Sequence, residues 1–308
     1  MQIVYISNRP DTFFDTLKYV VLLMPFIDEV LVCVPDDKVK EFEEPQTKLP
    51  ITIVPESHLT IREPVSALSE LDHQRRNYYL RSQLIRLELI KARFIMSDDD
   101  ARPLKPISLN DFYFDGKYRS YYFYDMSSWD NNQTEFDVGQ ISTFATLNVK
   151  GLKSFSFASH MPQIIDRDLF LESVVYFNDY ACLNPICEWS SYFNFATFFY
   201  PDRFHEPEIF KTLCWPEHPL SWKLYVRPKQ YLFENYTRSL YDDVFSGLGL
   251  ENSEEVKVAL IEKQSIEKII RWKRHSITLR KPEQLVGKSR FLLYKTWVNK
   301  LLMHRDRY

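Results

Sequence analysis

Through the first hundred positions, short apolar blocks alternate with stretches of helical spacing, and that alternation sets the expected fold. Residues 2–7 form a continuous, largely apolar run of strand length. The polar turn Asn8-Arg9-Pro10-Asp11 follows, with Asp11 the expected N-cap of a helix over 12–24, where Phe13, Leu17, Val20, Val21 and Met24 recur at helical intervals. Residues 29–35 read as a second strand, 36–42 as a short helix and 51–54 as a third strand. The spacing of Tyr79, Leu80, Gln83, Leu84, Leu87 and Ile90 predicts a long helix over 72–92, leading into a buried strand at Phe94-Ile95-Met96. Strand–helix alternation of this kind implies parallel pairing and right-handed crossovers.

Farther along, residues 112–124 are crowded with aromatics and read as an alternating strand, followed by Trp129. A helix is expected near 168–176, and an aromatic helix over 185–194 carries one acid, Glu188. A last amphipathic helix over about 289–303 puts Tyr294, Trp297, Val298, Leu301 and Leu302 on one stripe.

Charge changes this picture at the C-terminal end. The net charge of −3 is uneven: from Lys263 onward thirteen Lys/Arg face three Asp/Glu, an excess of ten positive charges that leaves thirteen negative ones on the rest. A basic amphipathic helix with Trp and Tyr suits an anionic membrane surface, and a solvated face docked on the main domain is the alternative. A nucleic-acid partner is not expected. With six glycines against 23 phenylalanines and 19 tyrosines, the composition is that of a packed globular chain. The four cysteines show no paired zinc-type spacing, the start lacks a leader pattern, and the apolar run 19–27 is too short to span a bilayer. The expected location is therefore cytoplasmic, peripheral on the inner membrane face if the tail binds lipid.

The candidate chemistry centres on Asp98-Asp99-Asp100, which closes the strand of Phe94 to Met96. In open α/β sheets ligands bind at the carboxyl ends of strands. Three adjacent carboxylates repel one another, and a hard divalent cation relieves that repulsion. A solvated acidic turn is the alternative. The start of the helix over 72–92 offers Gln74, Arg76 and Asn77 to the same crevice. His160 stands at an expected strand-to-helix junction, Asp125 and Asp130 flank the loop Ser127-Ser128-Trp129, and Glu188 sits among apolar neighbours that would raise its pKa toward that of a working base. The Gly-rich dinucleotide fingerprint is absent after the first strand.

Together these features resemble glycosyltransferases of the GT-A type. Asp98-Asp99-Asp100 is similar to their DxD motif, while Ser159-His160-Met161-Pro162 and Glu188-Trp189-Ser190-Ser191-Tyr192-Phe193-Asn194 resemble segments of bacterial surface-polysaccharide sugar transferases. The resemblance spans residues 1 to about 220. It implies a Rossmann-like, mostly parallel central sheet flanked by helices over 1–235, with a basic helical appendage over 236–308. It also implies a nucleotide-sugar donor whose diphosphate is held by Mn2+ or Mg2+, and a glycan or lipid-linked acceptor. Asn8, Arg9, Arg76, Asn77, Asp98 and Asp99 would line the donor side. Asp98 and Asp100 would hold the metal, with His218 or His205 completing its site. Glu188 is the first choice for the base of an inverting transfer, with Asp130 and His160 next. A metal-dependent phosphohydrolase or nucleotidyltransferase and a non-catalytic carbohydrate-binding protein are the rival readings.

Overall fold

The computed structural model describes residues 1–43, 47–59, 70–129, 132–213 and 231–235. The tail over 236–308, with its expected helix, basic excess and appended domain, lies outside the described residues, as do Asp130 and His218.

The first half alternates as expected. β1 (Gln2–Ile6) is followed by α1 (Pro10–Leu23), β2 (Glu29–Val34), the one-turn α2 (Val39–Phe42), β3 (Ile51–Pro55), α3 (His73–Leu84) and β4 (Arg93–Asp98). A short β5 (Ala101–Pro103) follows the acidic turn. Four two-residue strands come next: β6 (Tyr113–Phe114), β7 (Lys117–Tyr118), β8 (Tyr121–Tyr122) and β9 (Tyr124–Asp125). The chain continues through α4 (Glu135–Val149), β10 (Phe155–Ser156), β11 (Gln163–Asp166), α5 (Arg167–Ala181) and α6 (Glu188–Phe199), then β12 (Glu208–Ile209), β13 (Thr212–Leu213) and β14 (Phe233–Asn235).

The central sheet has the order β11-β4-β1-β2-β3, parallel except for β11, which runs antiparallel to β4. Both faces are covered, as the nearly continuous apolar character of β1 and β2 requires. On one face Tyr5 meets Phe13 of α1 edge-on, with ring centroids 5.3 Å apart. On the other, Val4, Ile6, Phe94 and Met96 share a small space with Arg81, Leu84 and Ile85 at the end of α3 and Phe170 of α5. The core spans both layers, from Ile3, Val20 and Val32 to Leu80, Ile95 and Phe177. Among the described residues, no helix is long and apolar enough to cross a membrane.

Four local expectations need correction. Asp11 is not the cap of α1. Pro10 opens the helix at its first position, where a missing N–H costs nothing, and the preceding Arg9 makes no side-chain cap. α3 stops at Leu84 rather than Ala92, because other groups take up the backbone beyond it. Arg167 donates to the carbonyls of Ile85 and Ile90, and the Gln2 amide bridges the Leu89 carbonyl and the Lys91 N–H. The aromatic stretch 112–124 is no single strand, since Asp115 and Gly116, both at positive φ, turn β6 back onto β7. Finally, His160 precedes a strand, β11, rather than a helix.

Candidate active site

The sheet's strand order reverses between β1 and β4: β2 and β3 extend one way from β1, while β4 and β11 lie on the other side. Ligand crevices form at such a switch point. In register Ile6 pairs with Asp98, so the chain leaving β1 at Ser7 and the acidic turn leaving β4 emerge side by side. β11 enters from the opposite direction, with Gln163 opposite Met96, which brings His160 to the same end.

The residues form a compact charged cluster there. Asp99 is buried and accepts from Ser7 Oγ at 2.6 Å and from Arg9 Nε at 3.1 Å, with Arg9 Nη2 on its other oxygen. Arg9 Nη2 also donates to Asp100 Oδ2 at 2.9 Å, and Ser7 Oγ accepts from the Arg9 N–H at 3.1 Å. Asp98 Oδ1 accepts from Arg81 Nη2 at 2.8 Å. His160 Nδ1 stands between the outer acids, 3.5 Å from Asp98 Oδ2 and 3.7 Å from Asp100 Oδ1. His160 has a φ of 47°, a left-handed conformation that costs a non-glycine residue about 1–2 kcal/mol.

The turn is anchored as it leaves. The Arg102 N–H donates to the Asp100 carbonyl at 3.1 Å, and its buried guanidinium is bonded to Glu234 of β14 at 2.6 Å. Behind Asp98, Arg81 Nε lies 3.1 Å from Glu188 Oε1, and its guanidinium rests 4.6 Å from the Trp189 ring centre. Gln74 Nε2 donates to Glu188 Oε2 at 2.9 Å.

The electrostatics follow from burial and partners. Burial pushes the Asp99 carboxyl up, against the pull of Arg9. Burial also acts on Asp100, but His160 and Arg9 outweigh it and hold that carboxyl low. Burial would lower the His160 imidazole, yet Asp100 and Asp98 raise it. Glu188 is pushed up by burial, which the Arg81 charge only partly offsets.

Arg9, Asp98, Asp99, Asp100 and His160 thus meet at one strand end, with Glu188 joined to them through Arg81. The remaining predicted residues have other surroundings. Arg76 is bonded to the buried Glu56 just after β3, and Asn77 Nδ2 lies 3.0 Å from His73 Nε2 on the same helix. Asn8 is exposed in the bend after β1. His205 Nε2 contacts the Phe114 carbonyl at 2.8 Å. The aromatic stretch packs largely on itself: Tyr122 stacks on Phe155 at 4.3 Å and Tyr124 on Trp129 at 5.0 Å. Ser7 and Arg81 had no assigned role in the sequence reading. Their signals were a serine closing an apolar run, and an arginine two helical turns after Gln74 on one face of α3.

Among the described residues, no three His, Cys, Asp or Glu side chains are gathered so as to hold a metal ion. The donor set still suits a cation of the Mg2+ or Mn2+ type. Such ions often take only one or two carboxylates, completing their shell with water and substrate phosphate. Asp98 and Asp100 supply hard oxygens, and the buried Asp100 Oδ1 has His160 Nδ1 3.7 Å away.

No family model matches the chain, and no curated protein matches it. Among solved structures, the chain is similar to apo mouse xyloside xylosyltransferase 1, at 9% identity and a TM-score of 0.41, over 78% of this chain and 99% of that one. It is similar at 9% identity and a TM-score of 0.41 to the galactosyltransferase LgtC in complex with donor and acceptor sugar analogues, over 77% and 87% of the two chains. A 4-diphosphocytidyl-2C-methyl-D-erythritol synthase from Anaerococcus prevotii DSM 20548 shares 12% identity at a TM-score of 0.34, over 68% and 85%.

Proposed function

We propose that this chain is a glycosyltransferase of the GT-A type, moving a sugar from a nucleotide-sugar donor to a glycan or lipid-linked acceptor of cell-surface polysaccharide synthesis. The observation that carries the reading is the run Asp98-Asp99-Asp100 at the sheet's switch point, bonded to an arginine from the neighbouring β1 loop.

In this reading Asp98 and Asp100 hold Mn2+ or Mg2+, and His218 is the candidate third ligand. When bound, the cation neutralises charge that develops on the leaving nucleoside diphosphate. Asp99 points away from that role, since Ser7 and Arg9 occupy both its oxygens. Arg9 reduces the repulsion among the acids, and its half-exposed side chain is available to a donor phosphate. We assign the acceptor hydroxyl's proton to His160, whose support is its partial exposure beside Asp98 and Asp100. Asn8, Arg76 and Asn77 remain candidates for the nucleoside side, and Asp130 for the acceptor side. Attachment of the basic segment 263–308 to an anionic membrane surface belongs to the same proposal, supported by charge alone.

The test is turnover of a nucleotide-sugar panel with Mn2+ or Mg2+. Release of nucleoside diphosphate with sugar on an acceptor is the expected result. Release of inorganic phosphate instead would favour a phosphohydrolase. Asp100→Asn should lower turnover about a hundredfold or more with its circular dichroism unchanged. Wild-type turnover by that variant would overturn the assignment.

A further inference from the structure

Glu188 is almost wholly buried, at 3% side-chain exposure, and its two oxygens face Arg81 and Gln74. Neither of those partners is a surface group: Arg81 is 6% and Gln74 8% exposed. The group is built from three helices. α3 gives Gln74 and Arg81, α6 gives Glu188 and Trp189, and Gly139 of α4 leaves room for Gln74, whose Cγ would lie 3.0 Å from an added Cβ. The chain of contacts ends on Asp98, at the mouth of the acidic turn.

The placement makes Arg81 a cation shared between two carboxylates, Glu188 inside and Asp98 outside. Four acidic side chains (Asp98, Asp99, Asp100, Glu188) thus face two guanidiniums (Arg9, Arg81). Without Glu188, the whole Arg81 charge would act on Asp98.

We propose that Glu188 is a positioning and charge-setting residue: by sharing the Arg81 charge from behind, it leaves the Asp98 carboxylate enough negative charge to bind a divalent cation. This rests on the reading of Asp98 and Asp100 as cation ligands, and it removes Glu188 from the role of base. Gln74 supports the arrangement by fixing the second Glu188 oxygen, and Trp189 keeps the guanidinium in place.

The test is titration of the full chain with Mn2+ alone, without nucleotide, reading free Mn2+ by electron paramagnetic resonance. Wild type should bind one ion, and Asp100→Asn none. Glu188→Gln, nearly isosteric, should bind at least about tenfold more weakly with its circular dichroism unchanged. The double variant Arg81→Gln/Glu188→Gln should regain most of the lost affinity, because the opposing charge has gone; a purely structural role for Glu188 predicts no such recovery. Wild-type affinity in Glu188→Gln, or a double variant no tighter than the single, overturns this proposal while leaving the proposed function standing. If Glu188→Gln fails to fold, the double variant, neutral throughout, decides alone: near-wild-type binding supports the proposal, and tenfold weaker binding overturns it. A wild-type protein that takes up no Mn2+ overturns both readings.

Discussion

Arg9 shows how one side chain lets three consecutive aspartates share a strand end. It donates to Asp99 through two nitrogens and reaches Asp100 with one of them, while Ser7 completes the shell of Asp99. A buried carboxylate without such partners is expensive. Arg9→Ala should therefore destabilise the fold by about 1–3 kcal/mol at neutral pH, measured by urea unfolding. The sign with pH follows from Asp99, whose folded-state pKa burial already raises. A raised carboxyl binds its proton more readily folded than unfolded, so the variant's deficit should shrink as pH falls through that pKa. A deficit that grew on acidification would show that Arg9 does not serve Asp99. His160 makes a related point: its left-handed backbone is tolerated where the imidazole sits between two acids.

At the scale of elements, what ends α3 is as informative as what forms it. Asp72 caps its start, accepting from the Arg75 N–H at 2.8 Å, but no glycine or proline marks its end. Instead Arg167, at the first position of α5, donates at 3.1 Å to each of the Ile85 and Ile90 carbonyls. Arg167→Met should keep the apolar stem and lose both charged hydrogen bonds, lowering the urea midpoint by the equivalent of about 1.5–3 kcal/mol. An unchanged midpoint would mean that water satisfies those carbonyls equally well. Gly139 in α4 offers a second check. Glycine to alanine inside a helix usually stabilises by up to about 1 kcal/mol. Here the new methyl would crowd the buried Gln74, so Gly139→Ala should lower the thermal midpoint. A rise would show that Gln74 yields easily.

For the whole molecule, the sheet order creates the site by bringing the ends of β1, β4 and β11 to one edge of the crevice from distant parts of the chain. The same layering sorts the three cysteines among the described residues. Cys182 is exposed after α5, whereas Cys33 in β2 and Cys187 before α6 are buried. Burial pushes the Cys187 thiol up to about 12, so it carries almost no thiolate at neutral pH. Alkylation of the native protein, mapped by peptide mass, should mark Cys182 before Cys33 and Cys187, which should react only after denaturant. Early labelling of Cys187 would contradict the packing of α6 against the core.

Local chemistry alone determined the strands of the parallel sheet, the helices between them and the position of the acids after β4, because apolar periodicity and turn residues act over a few neighbours. It also marked Arg9, His160 and Glu188 as residues of interest, though not what each would touch. Only the tertiary structure decided that β11 runs backwards beside β4, that α3 ends eight residues early, that the aromatic stretch breaks into short pairs, and that Glu188 faces an arginine. Those outcomes depend on contacts between residues far apart in sequence, such as Arg167 with Ile85, Gln2 with Leu89 and Arg81 with Glu188. Neither member of such a pair carries a local trace of the other.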